Sequence, residues 1–167
     1  MNTAFIDLMR AVGDAFGVPE PEKLADGAAI SINNIVFSFE KTINNPAELV
    51  TLFVDFGPVP KGNEAAVYYH LLQENYLEFP TQNATYCVSS RTGNVVYASA
   101  WAIDKLHADV LISKVKKLVD VVSNWRTDNA DGRLNIAPRP MRRPAFLAPL
   151  PRKNSSPHDP VTPTPYY

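Results

Sequence analysis

A single cysteine, Cys87, stands in a chain of 167 residues, which excludes an internal disulfide and fits a reducing compartment. Histidine is scarce as well. His70, His107 and His158 lie far apart, without the close spacing on one face that a metal site needs. No long apolar run is present. The stretch from Leu49 to Val54 is cut by Asp55 and then Pro58, far short of a bilayer span. The first twelve residues carry Asp7 and Arg10 and lack a basic start, an unbroken apolar run and a cleavage site. The expectation is a protein that stays in the cytoplasm. Net charge is only -1: residues 1–127 hold 14 acidic and 10 basic side chains, residues 128–167 hold 3 and 6. That mildly acidic body argues against nucleic-acid binding, which needs clustered cations.

What the chain does contain is periodic. Phe5, Leu8, Met9, Val12 and Phe16 recur at helical steps, which predicts a helix over residues 3–16, stopped by Gly17 and Pro19. From Ala28 the period falls to two. Residues 28–32 and 35–40 alternate on either side of Asn33-Asn34, a pair that tolerates the positive φ of a hairpin turn. A turn at Asn44-Asn45-Pro46 leads into a third strand, residues 48–56, closed by Gly57-Pro58-Val59-Pro60. This strand is apolar on both faces, with Leu49 and Phe53 on one and Val50, Leu52, Val54 and Phe56 on the other. Its second face is either covered within the domain or used for docking.

Asn63 can cap a helix over residues 64–76 that carries Val67, Tyr68, Leu71, Leu72 and Tyr76 on a wide apolar arc, with Pro80 and Thr81 closing the connection. Residues 84–90 and 95–101 flank Arg91-Thr92-Gly93-Asn94 as a second hairpin, and a long helix over residues 104–126 ends the body. The predicted fold is a two-layer α+β domain over residues 1–127, with an antiparallel five-stranded sheet and three helices in the order α-β-β-β-α-β-β-α. From residue 128 the composition changes. Nine of the 15 prolines fall between Pro138 and Pro165, which predicts an extended or disordered tail over residues 128–167.

Chemistry-bearing constellations are missing. Cys87 sits mid-strand, where packing is the expected role. The Gly57-to-Gly62 loop resembles a phosphate cradle only superficially, because its prolines remove backbone donors and no Lys-Ser or Lys-Thr follows. Asp55, Glu64 and Glu74 have no pattern pairing them in a cleft. The expectation is no catalytic residue, no metal, no cofactor and no enzyme.

The opening helix from Leu8-Met9 to Phe16-Gly17, the short strands around Asn33-Asn34 and the strand ending Phe56-Gly57-Pro58-Val59-Pro60 carry a resemblance, together with Leu71-Leu72-Gln73-Glu74-Asn75-Tyr76 and the long closing helix. Over residues 3–127 the chain resembles the small dimeric chaperones of bacterial type III secretion, the Tir chaperone family. Its body is less acidic than many of these, and the proline-rich tail lies outside their usual domain. The resemblance implies a cytoplasmic bacterial homodimer that holds the unfolded N-terminal segment of a secreted effector soluble and export-competent without ATP. It also implies the secretion ATPase as a further partner. By the same analogy Val67, Leu71, Leu72, Tyr76, Tyr86 and Val88 form the dimer contact. Phe5, Leu8, Val12, Ile30, Ile32, Leu49 and Phe53 form the expected effector surface. A small-ligand sensor on a similar frame, or an adaptor acting through its tail, is the competing reading.

Overall fold

The computed structural model describes residues 3–44 and 47–130, with backbone alone at residues 44, 77–82, 129 and 130. The elements are α1 (Thr3–Ala15), β1 (Ile30–Ile32), β2 (Ile35–Asn44), β3 (Ala47–Gly57), α2 (Glu64–Gln82), β4 (Ala84–Val88), β5 (Val95–Ala102) and α3 (Ala108–Ala130). This is the predicted order. A 3₁₀ turn at Pro21–Leu24 follows α1, and another at Ile103–Lys105 precedes α3.

All five strands join one antiparallel sheet in the order β1-β2-β3-β5-β4, so the last hairpin inserts its second strand beside β3 and leaves β4 at the rim. Register decides which residues share a face. Phe37 opposite Val54, Phe39 opposite Leu52, and Val54 opposite Tyr97 put the large side chains on one face. There they meet Phe5, Leu8, Met9 and Val12 of α1 and Leu111, Val115, Leu118 and Val122 of α3 in a single core. Each such side chain contributes roughly 1.5–3 kcal/mol by leaving water. The other face carries Ser38, Thr51, Phe53, Ala98 and Ala100, all half-buried. The two-faced apolar pattern of β3 therefore divides into a covered row (Val50, Leu52, Val54, Phe56) and a half-exposed row (Leu49, Phe53).

Turn chemistry matches the sequence at Asn33-Asn34, with φ of 51° and 60° at the two asparagines, the conformation of a two-residue hairpin loop. Three expectations need correction. Asn63 does not cap α2 with its side chain. Its carbonyl accepts the Val67 N–H at 3.0 Å, while the Glu64 carboxylate takes the Gly62 N–H at 2.8 Å. Pro80 does not end α2 either. Proline removes one helical donor, but its fixed φ suits a helix, and the stop comes at Asn83, in the left-handed region at φ 47°. Finally, α3 starts at Ala108 rather than Asp104, because Leu106 is extended (ψ 117°) and breaks the 3₁₀ turn from the helix. The same helix runs three residues past Thr127. The proline-rich segment expected from residue 128 lies, from residue 131 on, outside the described residues.

Gly13 lets α1 and the first 3₁₀ turn touch. A Cβ there would stand 2.4 Å from Pro21 Cβ and 2.8 Å from Pro21 Cα, so backbone would have to move. Gly13→Ala is expected to lower stability by about 1–3 kcal/mol. Chemical denaturation measures it, and an unchanged midpoint would refute so tight a contact.

Candidate functional site

The outer surface of α2 is the most apolar exposed part of a helix in the described structure. Leu72 is 66% exposed, Tyr69 and Tyr76 are exposed beside it, and Val88 on β4 is 48% exposed. A cavity of about 250 Å³ opens between α2 and β4, lined by Tyr68, Leu71, Leu72, Tyr86, Cys87 and Val88, with Asn75 in its wall. Four of the residues expected at the dimer contact, Leu71, Leu72, Tyr86 and Val88, are thus brought together around one hollow. Tyr76 lies one helical turn from Leu72. Val67 is not at the surface: it is 2% exposed and packs in the core, as Leu71 does at 8%.

The expected effector surface divides differently. Phe5, Leu8, Val12 and Ile30 are buried, holding α1 and β1 to the sheet, and the reading that they offer a docking surface is corrected. The helical stripe that suggested exposure is the stripe that makes the core. Ile32, Leu49 and Phe53 remain half-buried. Leu49 and Phe53 lie on the sheet face that no described helix covers, opposite Ala102 and Ala98, whose small side chains leave that face shallow.

The two rims of the sheet are unlike. On β4 the Asn75 side chain meets the backbone of Tyr86: Oδ1 accepts its N–H at 2.5 Å and Nδ2 donates to its carbonyl at 2.9 Å. On the opposite side β1 pairs with β2 only from Ile35 to Phe37, while β2 continues to Asn44. In an antiparallel ladder alternate residues turn their backbone groups to opposite sides. Ile35 and Phe37 face β1, so Phe39, Lys41 and Ile43 turn theirs the same way, and no described strand pairs with them. Ile43 is among the most exposed apolar side chains, and Lys41 is tied by its Nζ to Glu48 Oε1 at 2.8 Å.

Sequence reasoning missed the polar cluster at the end of the sheet. Arg126 of α3 donates to three backbone carbonyls, through Nη1 to Asn34 (2.8 Å), Nη2 to Asp55 (2.9 Å) and Nε to Phe56 (3.0 Å). The Asp55 carboxylate accepts the Gly57 N–H at 2.7 Å and Asn94 Nδ2 at 3.0 Å. Beside them a hollow of about 500 Å³ is walled by Val36, Pro58, Pro60, Trp125 and Arg126. An arginine among three carbonyls leaves no periodic trace in a sequence.

Catalytic groupings are not assembled among the described residues. No three His, Cys, Asp or Glu side chains converge there, and His70 meets only Glu74, at 4.0 Å. Cys87 is exposed rather than packed, its Sγ 3.4 Å from the Val96 carbonyl, and desolvation by burial pushes its thiol up. That favours the protonated, less nucleophilic form. Tyr97 is the buried oddity. Its ring meets that of Tyr86 edge to face, with centroids 5.3 Å apart, and lies under Lys114 Nζ, while its hydroxyl has no hydrogen-bond partner among the described residues. Removing an orphan hydroxyl relieves a desolvation cost, so Tyr97→Phe is expected to leave stability unchanged or raise it by up to about 1 kcal/mol in thermal melts. A loss of that size would mean the hydroxyl is paired.

No described helix is long and apolar enough to cross a membrane. No family model matches the chain, and no curated protein matches it by sequence. Its fold is similar to that of two solved structures, one of them a type III secretion chaperone. The crystal structure of the ExsC–ExsE complex aligns with a TM-score of 0.61 at 12% identity, covering 77% of this chain and 96% of that one. The Yersinia pestis type III secretion chaperone SycH, solved in complex with a stable fragment of YscM2, aligns with a TM-score of 0.53 at 16% identity, covering 72% and 98%. The α+β architecture, with three helices and a five-stranded antiparallel sheet, is common to them. Both alignments take in nearly the whole of the matched chain, so the likeness is to an entire domain.

Proposed function

We propose that the chain is a type III secretion chaperone that works as a homodimer and holds an extended segment of a secreted effector through its β-sheet, without ATP. The observation that carries this reading is a sheet whose rim at Phe39, Lys41 and Ile43 is paired by no described strand, next to a half-exposed apolar face at Leu49 and Phe53. Backbone groups on a rim bind any sequence in extended form, and a shallow apolar face adds side-chain contacts to it. Such a client loses entropy on ordering, which favours an extended surface over a single deep pocket.

The apolar patch on α2 and β4 supports self-association. An isologous contact uses one patch twice, so Leu72, Tyr76 and Val88 of one copy would meet the same patch of another. Dimer and client then have separate surfaces, on opposite rims of the sheet.

Co-expression with a candidate effector tests the reading. The chain should co-purify with a fragment from the effector's N-terminal region and suppress its aggregation in the absence of ATP. Truncation after Ala130 is expected to leave that binding within about threefold, because the rim and the faces lie within the described domain. Loss of binding on truncation would transfer the activity to the proline-rich segment, as an adaptor reading requires. The hollow beside Trp125 and Arg126 favours the remaining alternative, a small-ligand sensor. That alternative requires a small molecule, rather than a polypeptide, to co-purify.

A further inference from the structure

Both rims of a sheet are exposed to strand addition unless something blocks them. In this sheet β4 forms one rim, and the direction of its backbone groups is fixed by two contacts. Asn83 accepts the Ala100 N–H through its carbonyl at 3.3 Å, and Ser89 donates its N–H to the Asn94 carbonyl at 2.9 Å, so residues 83 and 89 face β5. By alternation residues 85 and 87 face it too, and Ala84, Tyr86 and Val88 turn their backbone groups outward. Tyr86 is the middle one of the three, and Asn75 reaches down from α2 to satisfy both of its groups.

A carboxamide is the side-chain counterpart of a peptide unit, with one carbonyl and one N–H carrier on a planar group. Asn75 therefore occupies the place on Tyr86 that a neighbouring strand would take. Aspartate has the same outline, yet when ionised it can only accept, and it would set a negative oxygen against the Tyr86 carbonyl. Leucine has similar bulk and offers neither group. Val67 and Leu71, both buried, hold α2 where this contact can form.

We propose that Asn75 is a guard residue that closes the β4 rim to strand pairing. Two copies of the chain meeting at α2 and β4 are thereby confined to side-chain contact and cannot join their sheets into one. An extended client segment is left the β2 rim alone. The last statement rests on the proposed chaperone function; the closure of β4 does not.

The test uses the full chain and needs no client. Hydrogen exchange at the Tyr86 amide is followed in the wild type, Asn75→Leu and Asn75→Asp, and particle mass is followed by light scattering across a range of concentrations. Asn75→Leu is expected to speed Tyr86 exchange by about tenfold or more, since two hydrogen bonds are lost. It should also form species larger than the wild-type state as concentration rises, through the opened rim. Asn75→Asp keeps one of the two bonds when ionised and should exchange at an intermediate rate. Protonation restores a donor, so acid should draw its exchange ratio to wild type back toward unity, a response a mere packing role would not produce. A folded Asn75→Leu with wild-type exchange at Tyr86 and wild-type mass overturns the proposal. If Asn75→Leu does not fold, Asn75→Asp decides: intermediate exchange with recovery in acid supports the guard, and wild-type exchange at all pH values overturns it. An absence of client binding by the wild type would sink the chaperone reading while leaving these readouts intact.

Discussion

Lys41→Pro should abolish most client binding while barely altering the melting of the protein. The N–H of residue 41 points away from β3, so losing it removes no bond from the β2–β3 ladder, which is carried through residues 38, 40, 42 and 44. Proline is tolerated on a strand rim in that orientation. The cost to the fold is the half-buried Lys41–Glu48 ion pair, worth about 1 kcal/mol. An incoming strand suffers far more, because it loses a donor in the middle of its register and meets a ring there. Affinity for an effector segment, measured by calorimetry, should fall by about tenfold or more. Unchanged affinity would place the client elsewhere, with the half-exposed face at Leu49 and Phe53 the next surface to test.

Leu72→Asp should convert the proposed dimer to monomer without unfolding it. Leu72 is exposed in the single chain, so a charge there changes stability by no more than about 0.5 kcal/mol. In a two-fold contact the same substitution enters twice, burying two carboxylates without partners. Dissociation should therefore strengthen by about a hundredfold or more. Sedimentation at micromolar concentration reads this directly. A mutant that stays dimeric, or a wild type that is monomeric under the same conditions, overturns the assignment. Leu71 is a poor choice for this experiment although it is the neighbouring residue. At 8% exposure it belongs to the core, and Leu71→Asp would unfold the domain whether or not a dimer exists.

That contrast shows where the sequence was legible and where it was not. The element order followed from periodicity, since the steps Phe5, Leu8, Val12 and the alternation around Asn33-Asn34 admit few other structures. Even the division of β3 into two apolar rows was readable. Assigning those rows and stripes to core or surface was not, because an apolar stripe reads the same whether it is covered by its own sheet or by a partner. Phe5, Leu8, Val12 and Ile30 proved to be core, while Leu72 and Val88 proved exposed. Element ends were obscured by local chemistry that outweighed the usual signals: Pro80 stays within a helix, and Asn83 ends it. Long-range polar contacts were out of reach altogether. Asn75 is separated from Tyr86 by eleven positions and Arg126 from Asn34 by ninety-two, and no spacing rule links either pair.

The position of β5 has a consequence for how the polypeptide is made. Strands β3 and β4 are not neighbours; β5, the last of the described strands to leave the ribosome, slots between them and supplies the second flank of β3. Until it emerges, the nascent chain can hold only the β1–β2–β3 meander of this sheet, with one side of β3 bare. Arg126 emerges later still and ties α3 to the β1–β2 turn and the end of β3 through Asn34, Asp55 and Phe56. During synthesis, a protein proposed to shelter other unfolded chains passes through an interval in which its own β3 is the strand at risk of mispairing.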